Sequence, residues 1–181
     1  MKIAVVGRGN VGGGLADLWE KTGHEVTRIG QGGGDVSEAE AVLLAVPGGA
    51  VADALEGLEG IEGKTVIDAT NRVGVEPPAG CASNAEYVKS KTNGPTAKSF
   101  NINFAVLYEQ IAKEKSRPGN LFVADDEARE TTEQLIRDAG YDPVYGGNLE
   151  NAAALEGFIK PIFARAQEGR FFYRFQPPEA S

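Results

Sequence analysis

A glycine-rich turn near the start of the chain constrains its fold more than any other feature. Residues 7–12 read Gly-Arg-Gly-Asn-Val-Gly. They follow an apolar run at residues 3–6, whose β-branched side chains are typical of a strand buried on both faces. They precede residues 11–22, where apolar side chains recur with helical spacing. A glycine turn that joins a buried strand to a helix is far more specific than the same letters elsewhere.

Each glycine of this turn has its own physical role. Gly7 permits a tight turn, Gly9 lets a pyrophosphate approach the backbone, and Gly12 lets the helix pack on the strand. The free N–H groups and the dipole at the helix start favour a phosphate anion. The turn therefore predicts a dinucleotide site, and a plain strand–helix turn is the alternative.

Strand-like and helix-like segments alternate through most of the remaining sequence. The predicted strands are 3–6, 25–29, 41–46, 65–69, 97–101, 121–124 and 143–145, and the predicted helices are 11–22, 50–58, 83–89, 126–139 and 149–167. This alternation predicts an α/β fold with a Rossmann-like, doubly wound parallel sheet, as one compact domain over residues 1–181. Gly157 and Pro161 predict a kink in the last helix.

The second β–α unit is shorter than a mononucleotide-binding fold requires. Only residues 30–40 separate the second predicted strand from the third, and glycines occupy positions 32–34. We expect the helix of this unit to be absent or vestigial.

Composition narrows the function classes. There are 26 acidic and 18 basic residues, which give a net charge of -8. This balance argues against a nucleic-acid partner, because such proteins need a basic face. One histidine and one cysteine predict neither a metal site nor a disulfide within the chain. The sequence shows no signal peptide and no membrane-spanning run, so we expect a cytoplasmic protein without a membrane partner.

The end of the second strand bears on the choice of cofactor. NAD-binding proteins usually place an acidic residue there for the ribose hydroxyl, whereas this chain has Gly30 and Gln31. Arg8 and Arg28 could pair with the 2′-phosphate of NADP, or could be solvated surface charges. Arg28 could also point away, since side chains alternate along a strand. The pattern favours NADP over NAD.

A ligand in such a sheet lies across the carboxyl ends of the strands. The small Pro47-Gly48-Gly49 loop suits ribose and nicotinamide, and a plain strand–helix turn is the alternative. The asparagine amides could form hydrogen bonds with the carboxamide or with the hydride acceptor, and ordinary turn-forming asparagines are the alternative. The candidate cofactor residues are Gly7, Arg8, Gly9, Asn10, Val11, Gly12, Arg28, Gly30, Gln31, Val46, Pro47, Gly48 and Asn71. The candidate substrate residues are Asn71, Asn101 and Asn103. The sequence designates no catalytic side chain.

Several segments together suggest a family. The glycine turn, Ala45-Val46-Pro47, residues 68–71 (Asp-Ala-Thr-Asn), residues 97–101 (Ala-Lys-Ser-Phe-Asn) and the aromatic ending at 171–175 occur in this order. The chain resembles small dinucleotide-binding oxidoreductases related to the NADPH-dependent reductases of coenzyme F-420. The resemblance implies an NAD(P)-dependent oxidoreductase with coenzyme F-420 or a flavin as acceptor. Arg72 departs from the family, in which a proline commonly follows the Thr-Asn pair.

Two other functions fit the same residues: a dinucleotide sensor without turnover, and a reductase of a metal or free flavin. A chain of this length has no room for a second substrate domain of typical size. The apolar residues of the last helix and the aromatic tail could therefore pair two chains into a homodimer, or could simply close the monomer core. They are Phe158, Ile159, Ile162, Phe163, Phe171, Phe172, Tyr173 and Phe175.

Overall fold

Strands and helices alternate along most of the chain, as the apolar pattern predicts. A computed structural model describes residues 1–78 and 80–175. The strands are β1 (Lys2–Val6), β2 (Glu25–Ile29), β3 (Gly34–Asp35), β4 (Ala41–Leu44), β5 (Leu58–Glu59), β6 (Thr65–Asp68), β7 (Thr96–Lys98), β8 (Gly119–Ala124) and β9 (Asp142–Tyr145). The helices are α1 (Asn10–Lys21), α2 (Val51–Glu56), α3 (Asn84–Thr92), α4 (Asp126–Asp138), α5 (Ala152–Gly157) and α6 (Ile159–Arg165). Among the described residues, no helix is long and apolar enough to cross a membrane.

Seven strands form one sheet in the order β2-β1-β4-β6-β7-β8-β9. The chain moves outward from β1 to β2 and then continues on the other side of β1 with β4, so the direction of winding reverses between β1 and β4. Ligands of open α/β sheets bind at such a reversal. The loops that follow β1 and β4 therefore flank the expected crevice, and the Rossmann-like fold is confirmed.

Two strands at one edge, β8 and β9, depart from the all-parallel prediction. β8 runs antiparallel to β7, with Lys98 opposite Val123, while β9 is parallel to β8. The connection after β7 contains a 3-10 helix, Ala105–Lys113, which contacts α1. This connection does not return to the amino end of β7, so β8 starts near the carboxyl end of β7 and runs in the opposite direction. The sheet is therefore mostly, and not entirely, parallel.

Apolar side chains cover both faces of the sheet. On one face, Leu15 and Trp19 of α1 pack with Leu135 of α4, and the Trp19 indole donates to the Leu135 carbonyl over 2.9 Å. On the other face, Val51 of α2 and Val88 of α3 cover the alternate strand residues. The two covered faces explain why β4 reads as a continuous apolar run.

The predicted loss of the second helix is confirmed. Between β2 and β4 the structure has only the two-residue strand β3, which pairs with β5 in a small separate sheet. Val36 and Ala39 from this short connection are buried against Ile29 and fill the place on the sheet that a helix would cover. Gly33 makes this possible, because a Cβ there would lie 1.9 Å from the Gly57 carbonyl oxygen.

The last helix is broken where the kink was predicted, since α5 ends at Gly157 and α6 starts at Ile159. Ile159 and Ile162 are buried in the monomer core, whereas Phe158 and Phe163 are about half exposed. In the aromatic tail, Phe171 and Tyr173 pack on the C-terminal core, Phe172 packs on the core beside α1, and Phe175 is exposed. Most of these residues close the monomer, and the homodimer stays a prediction.

Alanine substitutions at two adjacent glycines of α1 should change the free energy of unfolding in opposite directions. A Cβ at Gly14 would lie 2.5 Å from Cδ2 of the buried Tyr108 ring, but one at Gly13 would make only ordinary contact, at 3.6 Å. We expect Gly14→Ala to lower the free energy of unfolding by about 1–3 kcal/mol through overpacking. Gly13→Ala should raise it by up to about 1 kcal/mol through helix propensity. Urea denaturation measures both, and equal changes would contradict the packing argument.

Candidate functional site

The glycine turn owes two of its three glycines to close backbone packing. Gly7 has φ +111°, and a Cβ there would lie 2.3 Å from the Ala45 carbonyl oxygen. A Cβ at Gly12 would lie 2.1 Å from the Gly7 carbonyl oxygen and 3.2 Å from the Ala45 Cβ. Neither position can carry a side chain, because the start of α1 rests directly on the loops that follow β1 and β4.

Gly9 is different, since neither its backbone conformation nor the described part of the chain excludes a side chain there. Its φ of -76° and ψ of -170° are open to any residue, and a Cβ would meet no atom within 4 Å. Gly9 is the N-cap of α1 and offers no side chain to accept from the first N–H groups, and the first turn holds no acidic residue. Helix starts leave these N–H groups without helical partners. The turn therefore presents an open, uncapped helix terminus that suits an anion.

The other predicted residues of the turn and its neighbouring loops lie around this terminus. Asn10 is exposed at the first position of α1, and Val11 is half-buried against the core. Gln31 is exposed just beyond β2. Val46 packs partly on the core beneath α2, and the exposed Pro47 precedes a short 3-10 turn, Gly48–Ala50.

Two arginines lie at the end of β2 in different electrostatic settings. Arg28 binds Asp17 and Glu20 of α1, both over 2.7 Å. The hydrogen bonds that Glu20 and then Asp17 accept raise its pKa above the ordinary value. Arg8 is exposed, and its guanidinium donates over 3.0 Å to the main-chain carbonyl of Arg28. No carboxylate of residues 1–78 and 80–175 forms an ion pair with it, so its charge is available to a ligand.

Gly30 lies directly beside the Arg8 guanidinium. A Cβ at Gly30 would lie 3.4 Å from Arg8 Nε and 3.5 Å from its Cζ. The guanidinium therefore lies across the end of β2, above a residue that has no side chain. The structure thus separates the two candidate arginines: Arg8 is exposed without a carboxylate partner among the described residues, and Arg28 is paired with two carboxylates of α1.

The loops after β4 and β6 touch at Gly48. A Cβ at Gly48 would lie 2.2 Å from the Asn71 carbonyl oxygen. The Asn84 amide, at the start of α3, links the same loops by donating to the Gly48 carbonyl over 3.0 Å and to the Thr70 hydroxyl over 2.9 Å. Gly48 is thus a packing glycine, and Asn84 is a site residue that sequence reasoning missed.

Asn71 and Asn101 lie together, as the sequence predicts. The Asn71 amide donates to the Asn101 carbonyl over 2.5 Å, and the Asn101 amide donates to Asn71 Oδ1 over 3.1 Å. Phe100 has a left-handed φ of 61°, which ends the strand early and turns Asn101 towards Asn71. Asn101 Oδ1 is a buried acceptor with no partner in the described part of the chain.

Asn103 does not join this pair. Its amide donates to the Gly119 carbonyl over 3.1 Å, and its Oδ1 accepts from the Tyr173 hydroxyl over 3.1 Å. The Tyr173 hydroxyl in turn accepts from the Leu121 N–H over 2.9 Å. Burial raises the pKa of Tyr173 well above its ordinary value, so the hydroxyl stays protonated as a donor. The structure thus places Asn103 in the attachment of the aromatic tail to β8.

A buried charge cluster underlies the asparagine pair. The Lys98 ammonium donates to Asp68 Oδ2 over 2.7 Å, to the Thr70 carbonyl over 2.5 Å and to Glu156 Oε1 over 3.0 Å. Glu156 also accepts from the Arg72 guanidinium and, over 2.9 Å, from the Asn84 N–H. The Lys98, Asp68 and Glu156 side chains are 0–2% exposed. Two cations and two anions balance, and all three ammonium protons are used.

Sequence reasoning missed this cluster, although part of its signal is local. Asp68 and Lys98 each end a short buried strand, and the parallel register places them side by side. Opposite charges at the ends of neighbouring buried strands need partners. Glu156 carries no such signal, because it reaches the cluster from α5, 58 residues after Lys98.

Comparison with known proteins shows which solved structures share this fold. No protein-family profile matches the chain, and no curated protein matches its sequence. A protein from Arthrobacter sp. FB24, provisionally named an F420-dependent NADP reductase, is similar with a TM-score of 0.77 and 21% identity, over 99% of this chain and 100% of that one. An imine reductase from Pseudomonas sp. is similar with a TM-score of 0.66 and 17% identity, over 93% and 64%. A reductive aminase from Aspergillus terreus, solved with NADPH, is similar with a TM-score of 0.67 and 13% identity, over 92% of this chain and 61% of that one.

These likenesses concern the fold, since all three identities are low. The chain matches the first protein over essentially its whole length, but it spans under two thirds of the other two. The chain therefore has the Rossmann-like α/β fold of NAD(P)-binding reductases, in the single-domain form that the sequence predicts.

Proposed function

We propose that this chain is an oxidoreductase that binds NADP(H) and passes a hydride between the nicotinamide and a flavin-like ring. Gly9 is the observation that carries the cofactor part. The protein itself leaves room for a side chain there and imposes no backbone strain. A bound pyrophosphate does require a glycine, because its oxygens must approach the N–H groups of α1.

The charges at the end of β2 support NADP over NAD. No acidic side chain stands at Gly30 or Gln31 to bind a ribose hydroxyl pair and repel a phosphate. Arg8 lies beside Gly30 without a carboxylate partner among the described residues, so it can form a charge-assisted bond to a 2′-phosphate. Arg28 is committed to Asp17 and Glu20 and supports Arg8 through its carbonyl.

The carboxyl edge of β6 and β7 supports a flavin-like acceptor. Each charged group of the cluster below it is already bonded, and Asn71 and Asn101 supply amides rather than acids or bases. Hydride transfer between stacked rings needs position and orientation more than a proton donor from the protein. The provisional name of the protein from Arthrobacter sp. FB24 points in the same direction. Coenzyme F-420, a deazaflavin, and FMN are the acceptors to test first.

The glycine assignment is tested by Gly9→Val. The new side chain would enter open space at the helix start, so we expect the variant to fold, with a small fall in melting temperature because valine is a poorer N-cap than glycine. NADPH affinity should fall by roughly tenfold or more, which is about 1.4 kcal/mol. Gly12→Val is the contrast, because its side chain clashes with the Gly7 carbonyl and should destabilise the fold. Unchanged NADPH affinity in folded Gly9→Val would overturn the proposed cofactor site.

The phosphate assignment is tested by Arg8→Ala with Arg28→Ala as the matched control. Loss of Arg8 should weaken NADPH by about 1–3 kcal/mol, roughly 5- to 150-fold, and leave NADH nearly unaffected. Loss of Arg28 keeps the main-chain carbonyl that binds Arg8, so the ratio of the two affinities should not change. Titration of nicotinamide fluorescence gives both ratios. Equal losses of NADPH and NADH in Arg8→Ala would refute the phosphate contact.

The acceptor assignment is tested by Asn71→Ala. We expect kcat with a deazaflavin or FMN to fall by roughly tenfold while NADPH affinity stays within about twofold, because the amide contacts the reacting end. Asn151→Ala, an exposed asparagine near the start of α5, serves as the control. NADPH binding without turnover of any acceptor by the wild-type protein would favour the sensor over the enzyme.

A further inference from the structure

We propose that Lys98 and Glu156 are positioning residues of the hydride-transfer site, acting through the Thr70–Asn71 peptide. This inference rests on the proposed function, because it concerns the same nicotinamide end of the crevice. Its basis is the arrangement of the buried cluster around a single loop residue.

Both peptide groups of Thr70 are held by the cluster. Its N–H donates to Asp68 Oδ1 over 2.9 Å, and its carbonyl accepts from Lys98 over 2.5 Å. Asp68 and Lys98 are themselves joined over 2.7 Å. The next residue along the chain is Asn71, so the orientation of its backbone is fixed from below by charges that have no exposure to solvent.

Glu156 extends this control to the C-terminal helices. Its two carboxylate oxygens accept from Lys98, from the N–H of Asn84 and from Arg72. The Asn84 amide in turn holds the Gly48 carbonyl and the Thr70 hydroxyl. One carboxylate on α5 therefore joins the loops after β4 and β6, which flank the nicotinamide end of the crevice.

Stability alone gives little reason for charges in this place. A buried ion pair can often be replaced by well-packed apolar side chains with no loss of stability, because removing charges from water is costly. A cluster in which every donor is bonded does fix the orientation of the groups it holds, because each hydrogen bond constrains an angle as well as a distance. Lys98 has no proton donor left over for a ligand, so its effect on the reaction must pass through the loop that it holds.

The hydrogen bonds between Asn71 and Asn101 depend on the position of that loop. Asn71 exchanges hydrogen bonds with Asn101, which also donates to the Leu155 carbonyl over 3.3 Å, next to Glu156. A rotation of the Thr70–Asn71 peptide would weaken this pairing and redirect the Asn71 amide. The expected consequence is slower hydride transfer with intact binding of the dinucleotide.

The test combines Lys98→Met with Asp68→Asn, which removes a directly bonded pair of opposite charges and leaves Glu156 paired with Arg72. Glu156→Gln is measured beside it, since Lys98 then keeps Asp68 and Arg72 keeps the Ala82 carbonyl. Lys98→Met alone leaves two carboxylates facing one arginine and can fail to fold, so the double variant keeps the question answerable. Lys89→Met, an exposed lysine paired with Asp125, is the matched control. NADPH affinity, kcat with FMN or a deazaflavin, and emission of bound NADPH are measured for each protein.

We expect the double variant to bind NADPH within about twofold of wild type, to lose roughly tenfold or more in kcat, and to shift the bound emission. The same change in an Asn71→Ala background should cost little further kcat, because both act through one amide. Multiplicative losses in that background, or wild-type kcat and emission in the double variant, would overturn the positioning role. Failure of wild-type protein to bind NADPH would instead overturn the proposed function.

Discussion

The close approach of backbone at Gly7, Gly12 and Ala45 is the constraint on which the rest of the crevice depends. The Gly7 N–H donates to the Ile29 carbonyl over 2.9 Å, and the Ala45 N–H donates to the Val6 carbonyl over 2.8 Å. The turn is thereby held between the ends of β2 and β4. The start of α1 is fixed in the crevice by backbone packing alone, so Gly9 stays free to meet a ligand.

The two ends of the crevice are organised by different forces. At the β1–α1 end, small residues bring main chains together, and the start of α1 presents N–H groups that favour an anion. At the β6–β7 end, the loops are held by Lys98, Glu156 and Asn84, which form directed bonds in a dry interior. The first arrangement suits a charged pyrophosphate, and the second suits a neutral ring whose orientation matters.

Local patterns in the sequence predict much of this architecture. The strands, the loss of the helix after β2 and the break near Gly157 all follow from apolar runs, glycines and a proline that act on their own neighbours. Strand lengths were less predictable: β7 ends at Lys98 and not at Asn101, because Phe100 adopts a left-handed backbone to pack edge-on against Trp19. That conformation depends on a side chain from another element.

Other features depend on contacts between elements, which local patterns do not determine. The direction of β8 follows from how the preceding 3-10 helix packs on α1. Glu156 comes from a helix whose docking no local pattern reveals. Arg28 is neutralised because its side chain turns to α1, where Asp17 and Glu20 stand one turn apart. Alternation along a strand permits that orientation but does not choose it.

The short connection after β2 links the missing helix to the proposed choice of cofactor. Without a helix, the end of β2 is exposed at Gln31 and Gly32, and few side chains can contribute to a ribose site. Arg8 lies at that end beside Gly30, where a Cβ would make ordinary contact with the guanidinium. An acidic residue at position 30 would instead place a carboxylate beside the guanidinium. Under the proposed function, Gly30 leaves the end of β2 without the acid that NAD favours, and the Arg8 charge beside it is available to a 2′-phosphate.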